Sequence, residues 1–455
     1  MSSISGRLPL PAARLPYQTA WIAALALVLG CAVAVDGRVA TLLAAALVAP
    51  LLIWADPRIT LALFLITLGI NVDLVRGALH VSLPQLLALA IVAGVFVRTA
   101  IRNHDAGTWA SSGVWFTVAA CVSLIGAVHA GAALSGIAQL AILALFLWAV
   151  TVLLVRRPDV LPTALSCLVA GALASLVFAY GQALFGIGPV EYQVNGVMRV
   201  YSTYRQPNSY AGYLIGVLPI ALALAVTRKR VGDIFALVAI VGGVILTGSR
   251  GAWIGGFAGL LTFAVLIFRP RPIAILGSLA VFLVLAGAAL AVPDAFIAGR
   301  FDLTDWSTQQ RLLVLLTAVD GIIRSPILGH GPGSFEHALP AFARQGLVDD
   351  VTIPHNLFLQ VWFELGIVAL LCMLVLLAGY YRSAMRACRA FADIRLAGLI
   401  AGVTAMLAAS MFGTLFIRGV QETFAVLIAL TAATVIHHRS TARKSALATA
   451  RGGHA

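Results

Sequence analysis

Arginines stand beside several apolar segments of the sequence, where a guanidinium could bind a phosphate group. Arg250 lies in LTGSRGAWIGG, almost inside an apolar segment, and Arg199 and Arg205 precede another one in MRVYSTYRQPNSYAGYL. A charged side chain at membrane depth is costly unless it faces a polar cavity or an anion. Because a guanidinium binds a pair of phosphate oxygens through two parallel hydrogen bonds, these three arginines are candidate phosphate ligands.

Arg311 is a further candidate, at the start of a predicted helix in STQQRLLVLLTAVDGIIRS. Ser307 to Gln310 has the form of a capping box, a serine followed three residues later by a glutamine, so we predict the helix N-terminus there. A cation in the first turn is unfavourable against the helix dipole. A bound anion would offset this cost, since the free backbone N–H groups and the guanidinium would face the same charge.

The segment 293–355 contains three histidines, His330, His337 and His355. Their spacing does not form a helical metal-binding pair, and the segment contains no cysteine, so we predict no metal site. His355 stands at the start of the next apolar segment, in PHNLFLQVWFELG. Its ordinary pKa is near neutral, so it could take a proton from a sugar hydroxyl. The alternative is that His355 caps the helix together with Asn356.

These residues must be positioned by a membrane scaffold. The chain of 455 residues is 61% hydrophobic and 10% charged, with a mean hydropathy of +1.01, whereas soluble domains carry about a quarter charged residues. We predict an all-α, polytopic bundle of about 12–14 transmembrane spans, in which Gly251, Gly255 and Gly256 allow close helix packing. The predicted spans lie near residues 17–35, 38–55, 58–74, 83–101, 113–130, 133–155, 160–184, 208–227, 232–247, 251–268, 273–292, 356–380, 395–414 and 419–437.

The distribution of basic residues predicts the orientation of the bundle. With a cytoplasmic N-terminus, the inner connections hold 20 of the 30 lysines and arginines, and the outer ones hold the other ten, all arginines. The positive-inside rule therefore places both termini in the cytoplasm. The short pairs 38–74 and 232–268 are either full spans or re-entrant hairpins. We predict four regions: a transmembrane bundle (1–292), an outer loop with amphipathic helices (293–355), C-terminal transmembrane helices (356–437) and a cytoplasmic tail (438–455).

Within the outer loop, the sequence GHGPG predicts a flexible turn at Gly329 to Gly333, followed by a short helix at about 334–345. Other outer arginines have structural interpretations. Arg324 is spaced to pair with Asp320, four residues earlier. We also expect Arg418 to form an ion pair with Glu422, four residues later. Arg76 and Arg300 are expected to anchor the chain at the membrane interface.

Several enzyme classes lack their signatures in this sequence. The chain has no phosphate loop of the form GxxxxGK[ST], no GxSxG nucleophile elbow, no HExxH zinc motif and no DxD pair. Soluble nucleotide-sugar donors would also be confined to the cytoplasmic side. An enzyme working on the outer face must therefore use a lipid-linked substrate.

Five segments resemble those of the O-antigen ligase family and its polymerase relatives, over about residues 190–380 and in the family's order. They are RQPNSYAGYL, TGSRGAWIGG, QQRL, SPILGHGPGSF and PHNLFLQVWFELG. The resemblance implies a metal-independent, GT-C-like membrane glycosyltransferase of the bacterial inner membrane with a periplasmic active site. It also implies that Arg250, Arg311 and His355 are essential and that Arg205 contacts phosphate.

The expected reaction is transfer of a glycan from undecaprenyl pyrophosphate to the lipid A–core oligosaccharide. We expect it to need no cofactor and to involve no nucleic acid. Arg199, Arg205, Arg250 and Arg311 would bind the pyrophosphate, and His355 would activate the acceptor hydroxyl. Two alternatives within the enzyme class are an O-antigen polymerase and a protein O-oligosaccharyltransferase, which differ only in the acceptor. A different class is an anion or lipid transporter, although the two related halves typical of transporters are not visible.

Overall fold

The apolar segments form helices in the computed structural model, which describes residues 57–71, 73–75, 81–100, 112–194, 196–204, 206–268, 306–344, 346–347, 354–413 and 419–452. Thirteen α-helices and two short antiparallel hairpins occur in this part of the chain. The helices are α1 (Pro57–Gly69), α2 (Leu83–Ala100), α3 (Ser112–Cys121), α4 (Ala130–Arg156), α5 (Leu161–Phe185), α6 (Pro207–Arg228), α7 (Val231–Leu246), α8 (Arg250–Phe268), α9 (Trp306–Arg324), α10 (Phe335–Ala338), α11 (Leu357–Phe391), α12 (Ile394–Ala409) and α13 (Val420–Gly452). The strands are β1 (Asp73–Val75) paired with β2 (Val81–Ser82), and β3 (Gln193–Val194) paired with β4 (Val197–Met198).

The prediction of an all-α, polytopic membrane bundle is confirmed. Among the described residues, α4, α5, α6, α8, α11 and α13 are long and apolar enough to cross a membrane, and five shorter apolar helices accompany them. The predicted spans near 17–35, 38–55 and 273–292 lie outside the described residues. The boundary at 292–293 also lies outside them, so the division into four regions stays a prediction.

Helix starts and ends follow local sequence. Pro207 occupies the first turn of α6, where its missing N–H costs nothing. Gly186 ends α5 in the left-handed conformation, with φ of 62°. The carboxylate of Asp393 caps α12 by accepting the backbone N–H groups of Arg395 (2.8 Å) and Leu396 (3.3 Å). These caps fix where α6 and α12 begin, and both helices later contribute to the candidate site.

Close packing of α8 on α12 fixes the position of Arg250. A Cβ added to Gly255 would lie 2.5 Å from the carbonyl oxygen of Ala405, and one on Gly259 would lie 2.8 Å from that of Ala401. Only glycine allows the two backbones to approach this closely. The packing expected at Gly255 is confirmed, whereas Gly256 faces α6 at ordinary van der Waals spacing.

The helices of the short pair 232–268 pack in different directions. Helix α7 packs on α5 and α6, while α8 packs mainly on α12 and on α6. The two helices make few contacts with each other. They are therefore separate elements of the bundle rather than a closely packed re-entrant hairpin.

Helix α11 is interrupted at Gly366, whose φ of 77° and ψ of 177° are not helical. The turn after α9 fills this interruption, because the N–H groups of His330 and Gly331 donate to the carbonyls of Phe363 and Glu364 (both 2.9 Å). A Cβ on Gly366 would overlap the carbonyl oxygen of Ile327. The prediction of a flexible turn at 329–333 is therefore wrong, since this turn is hydrogen-bonded and largely buried.

The helices of the outer loop differ from the prediction at their ends. Helix α9 includes Trp306, close to the predicted start at Ser307, and the capping box itself stays a prediction because the Ser307 side chain lies outside what the structure describes. Arg311 consequently lies in the second turn of α9, where the helix dipole is weaker. The second helix, α10, has four residues and continues as a 3-10 turn over Leu339–Ala341, which is shorter than predicted.

The ion pair expected between Arg324 and Asp320 does not form. The carboxylate of Asp320 instead accepts two hydrogen bonds from Arg344, at 2.6 Å from Nε and 2.9 Å from Nη2. Arg324 lies over the ring of Phe342, with 5.9 Å between the guanidinium carbon and the ring centroid. The bidentate geometry offered by Arg344 explains the choice of partner. Arg76, Arg300 and Arg418 lie outside the described residues.

Candidate functional site

One cavity brings together Arg250, Arg311 and His355, and we call it the arginine cavity. Its volume is about 60 Å³. The starts of α6 and α8, the second turn of α9, the end of α12 and the residue preceding Asn356 meet there. Its other lining residues are mostly small or polar: Gln206, Asn208, Ser209, Gly212, Ser249, Gly251, Ala252, Met406, Ala409, Ser410, Phe412, Gly413 and Val420.

Arg250 is the first residue of α8, directly after a tight turn at Thr247 to Ser249. Gly248 adopts φ of 59° in this turn, and the indole of Trp253 donates back to the carbonyl of Val244 (3.2 Å). The first residues of α8 line the cavity, so the N-terminus of this helix accompanies the guanidinium. A helix N-terminus and an arginine together favour a bound anion.

The start of α6 contributes a second helix N-terminus to the arginine cavity, through Asn208 and Ser209. Tyr204 secures the chain just before it, because this buried side chain donates to the carbonyl of Leu68 (2.6 Å). Ser202 donates to the carbonyl of Ser175 (2.7 Å) in the same stretch. Ser202 and Tyr204 thus join the chain before α6 to α5 and α1.

His355 precedes α11 and has a positive φ of 50°. This left-handed conformation is uncommon outside glycine and costs about 1–3 kcal/mol, so the surrounding structure must hold it. Asn356 caps α11 by accepting the N–H groups of Phe358 (3.0 Å) and Leu359 (3.1 Å). The alternative interpretation of His355 as a helix cap is therefore wrong for the histidine and applies to Asn356 alone.

The imidazole of His355 is neutral at neutral pH. Burial lowers its pKa to about 4, and the positive charge of Arg311 contributes in the same direction. A neutral imidazole has a nitrogen free to accept a proton, whereas imidazolium has none. The site thus combines two cations with an uncharged base, which is the combination needed to hold an anion while taking a proton from a neutral group.

The other two predicted phosphate ligands are Arg199 and Arg205. Arg205 lies outside the described residues. Arg199 donates from Nε to the carbonyl of Thr247 (2.9 Å) and from Nη2 to the side chain of Asn208 (3.0 Å). It thereby joins the turn before α8 to the start of α6, and it orients a side chain of the cavity without being among the residues that line it. Its predicted contact with pyrophosphate stays a prediction.

The other two histidines of the loop have different surroundings. His330 is buried between the rings of Phe342 and Phe363, and its Nε2 lies 3.0 Å from the carbonyl oxygen of Gly321. His337 is exposed and stacks on His129 with ring centroids 4.3 Å apart. Both contacts tie the outer loop to the bundle, so these histidines have structural roles.

Glu364 is a residue that sequence reasoning passed over. It is buried on α11, where its Oε2 accepts the N–H of Gly333 (2.9 Å) and its Oε1 accepts from Gln360 (3.4 Å). The signal was present in FELG, because a carboxylate inside an apolar span is costly without a specific role. Glu364 fastens the turn at 329–333 to the part of α11 that follows His355.

Comparison with known proteins adds a family to this geometry. No curated protein matches the chain. Residues 235–374 match the family model described as O-antigen ligase. The matched residues run from α7 into the second part of α11 and include Arg250, Arg311 and His355, whereas Arg199 and Arg205 precede them. The match covers 140 of the 455 residues, and this part of the polytopic helical bundle is similar to the O-antigen ligase family.

Proposed function

We propose that the protein is an O-antigen ligase, which transfers a glycan from undecaprenyl pyrophosphate to the lipid A–core oligosaccharide. The reaction takes place on the periplasmic face of the bacterial inner membrane, without a metal ion or cofactor. The observation that carries the proposal is the meeting of Arg250, Arg311 and a neutral His355 in one cavity. The family match supports lipid-linked glycans as the substrate class.

The donor pyrophosphate binds in the arginine cavity. Arg250 and Arg311 neutralise the charge that grows on the pyrophosphate as it leaves, together with the N-terminus of α8. Arg205 is the proposed third phosphate contact, and Arg199 is the proposed fourth, acting directly or through Asn208. Cations placed at a leaving group stabilise the transition state more than the ground state, because the leaving group carries more negative charge in the transition state.

His355 acts on the acceptor. As the acceptor oxygen forms its bond to the anomeric carbon, its proton passes to the neutral imidazole. The bond between the anomeric carbon and the pyrophosphate oxygen breaks, and the electron pair leaves with the pyrophosphate. Attack opposite to this leaving group inverts the configuration at the anomeric carbon. The imidazolium then returns its proton to solvent, which its low pKa favours.

The helix directions support a periplasmic location for the arginine cavity. Helices α6 and α11 both start beside the cavity and end in basic residues: Arg228 in α6, and Arg386 and Arg389 in α11. Basic residues favour the cytoplasmic end of a membrane protein. The cavity therefore lies at the periplasmic end in this proposal, with both chain termini in the cytoplasm.

A reconstituted reaction tests the function. Purified protein is incubated with an undecaprenyl-pyrophosphate glycan and with lipid A–core, and the products are separated by size. Ligase activity yields a lipid A–core band of higher mass that carries the glycan. Longer lipid-linked chains without lipid A–core would instead indicate a polymerase, and absence of both products would contradict a glycosyltransferase of either kind.

A further inference from the structure

A second polar cavity lies beside α11, and we call it the glutamine cavity after Gln139, Gln360 and Gln421. Its volume is about 260 Å³. Ser135 and Glu364 complete its polar lining. The side chains come from α4, α11 and α13, and the turn residues Pro332 and Gly333 close one side.

The chemistry of the glutamine cavity differs from that of the arginine cavity. No arginine, lysine or histidine is among the described residues that line it, so nothing there would stabilise a pyrophosphate. Three amides, a hydroxyl and a carboxyl group instead offer both donors and acceptors of hydrogen bonds. Neutral hydroxyl groups, which both donate and accept, match this set. A saccharide is the ligand class with many such groups.

The glutamine cavity continues into an apolar groove of about 570 Å³. Leu140, Leu143 and Gln421 line both of them. The groove's lining residues on α13 extend from Gln421 to Arg439, which is about 27 Å at 1.5 Å per residue and close to the thickness of a bilayer's hydrocarbon core. A polar cavity joined to a membrane-depth apolar groove fits an amphiphile with a saccharide head and a lipid chain.

The groove distinguishes the acceptor from the donor. The residues that line the groove and those that line the arginine cavity do not overlap in the described chain. A lipid in the groove therefore belongs to the ligand of the glutamine cavity, not to the pyrophosphate. We propose, building on the ligase function above, that the glutamine cavity binds the saccharide of the acceptor glycolipid, with its lipid part along the apolar groove.

The two cavities are placed for a reaction between their ligands. Gln360 and Glu364 follow His355 by five and nine residues, or about 8 and 14 Å along the helix. Val420 lines the arginine cavity, and the next residue, Gln421, lines the glutamine cavity. An acceptor sugar held beside α11 would reach His355 from one side, while the donor pyrophosphate would lie on the other.

Steady-state kinetics with each substrate varied in turn test this assignment. We expect Gln139→Ala and Gln421→Ala to raise the KM for lipid A–core by about three- to tenfold each, the effect of one lost hydrogen bond. The KM for the donor and the kcat at saturating acceptor should stay within about twofold of wild type. Gln193→Ala is the matched control, since Gln193 is exposed on the β3–β4 hairpin, away from both cavities. An unchanged acceptor KM in both variants, or a raised donor KM, would overturn the proposal.

Binding without turnover separates this proposal from the proposed function. The delipidated core oligosaccharide is titrated into wild type, Gln139→Ala and Gln193→Ala without donor, and binding is followed by saturation-transfer NMR. Binding to Gln139→Ala that is about three- to tenfold weaker than binding to wild type and Gln193→Ala supports the acceptor site even where the ligase assay gives no product. Equal binding to all three proteins, or binding to none, overturns the site even where the ligase assay succeeds.

Discussion

The arginine cavity and the glutamine cavity flank the start of α11 but differ in how they are built. The first is formed by two helix N-termini and two arginines, and the second by amides, a hydroxyl and a carboxyl group. Helix N-termini and guanidinium groups stabilise negative charge, whereas amides and hydroxyls suit neutral polar ligands. The difference indicates that one bundle separates recognition of a charged leaving group from recognition of a neutral attacking group.

His355 lies at the boundary between the two regions. It lines the arginine cavity, yet it directly precedes the helix that carries Gln360 and Glu364. Its neutral imidazole neither competes with the arginines for the donor nor repels an acceptor hydroxyl. His355 thus connects the arginine cavity to the helix that lines the glutamine cavity.

The largest expected effect is loss of the proposed base. We expect His355→Asn to lower kcat by about a thousandfold, since general-base catalysis typically contributes 10²–10⁴-fold. Asparagine tolerates the positive φ at this position, so the backbone should be kept. His337→Asn is the control, because His337 is exposed and outside both cavities. Normal turnover by His355→Asn would remove His355 from the reaction.

Loss of a donor-side cation should have the next largest effect. We expect Arg250→Ala and Arg311→Ala each to lower kcat/KM for the donor by about a hundredfold, or ~3 kcal/mol, as when one preorganised charge donor is removed. The KM for the acceptor should change little. Arg324→Ala provides a control on the same helix as Arg311, because Arg324 is exposed, lies over Phe342 and lines neither cavity. Equal losses in Arg324→Ala would mean that α9 is merely destabilised.

Much of the arginine cavity could be predicted because its signals are local. Arg250 and Arg311 are charges in apolar surroundings, and His355 stands at the start of an apolar span. Each of these residues is an unusual type beside the apolar residues that neighbour it in the sequence. Asn208 and Ser249 were not predicted, since small polar residues are common wherever a helix begins.

The interruption of α11 could not be predicted in the same way. FELGIV reads as part of a continuous apolar helix, and a single glycine is tolerated inside a helix at a modest cost. Gly366 leaves the helical conformation because the turn at 326–331, distant in sequence, bonds to the backbone there. The partner of Asp320 was missed for a related reason, since Arg344 follows it by 24 residues. Spacing along the sequence predicts interaction partners within one helix, but it does not predict partners that come from another element.

A glycine pair on α11 tests whether this interruption stabilises the fold between the two cavities. Gly366→Ala should lower the free energy of unfolding by about 1–3 kcal/mol or more, because alanine is strained at φ of 77° and its Cβ would overlap Ile327. Gly379 is the matched control on the same helix, where a Cβ meets nothing within 4 Å. Gly379→Ala should leave stability unchanged or slightly raised. Thermal unfolding in detergent measures both, and equal melting temperatures would contradict a structural role for the interruption.

The smallest expected effect is a shift in the titration of His355, followed by NMR of labelled imidazole without substrate. Burial and the charge of Arg311 both disfavour imidazolium, so the wild-type midpoint should lie at about 4 rather than near 6.5. Arg311→Gln removes one of these two causes, and the midpoint should therefore rise while staying below 6.5. Gln139→Ala, in the glutamine cavity, should leave the midpoint of His355 unchanged. An unchanged midpoint in Arg311→Gln would show that the charge of Arg311 does not act on His355. The electrostatic coupling proposed for the arginine cavity would then be wrong.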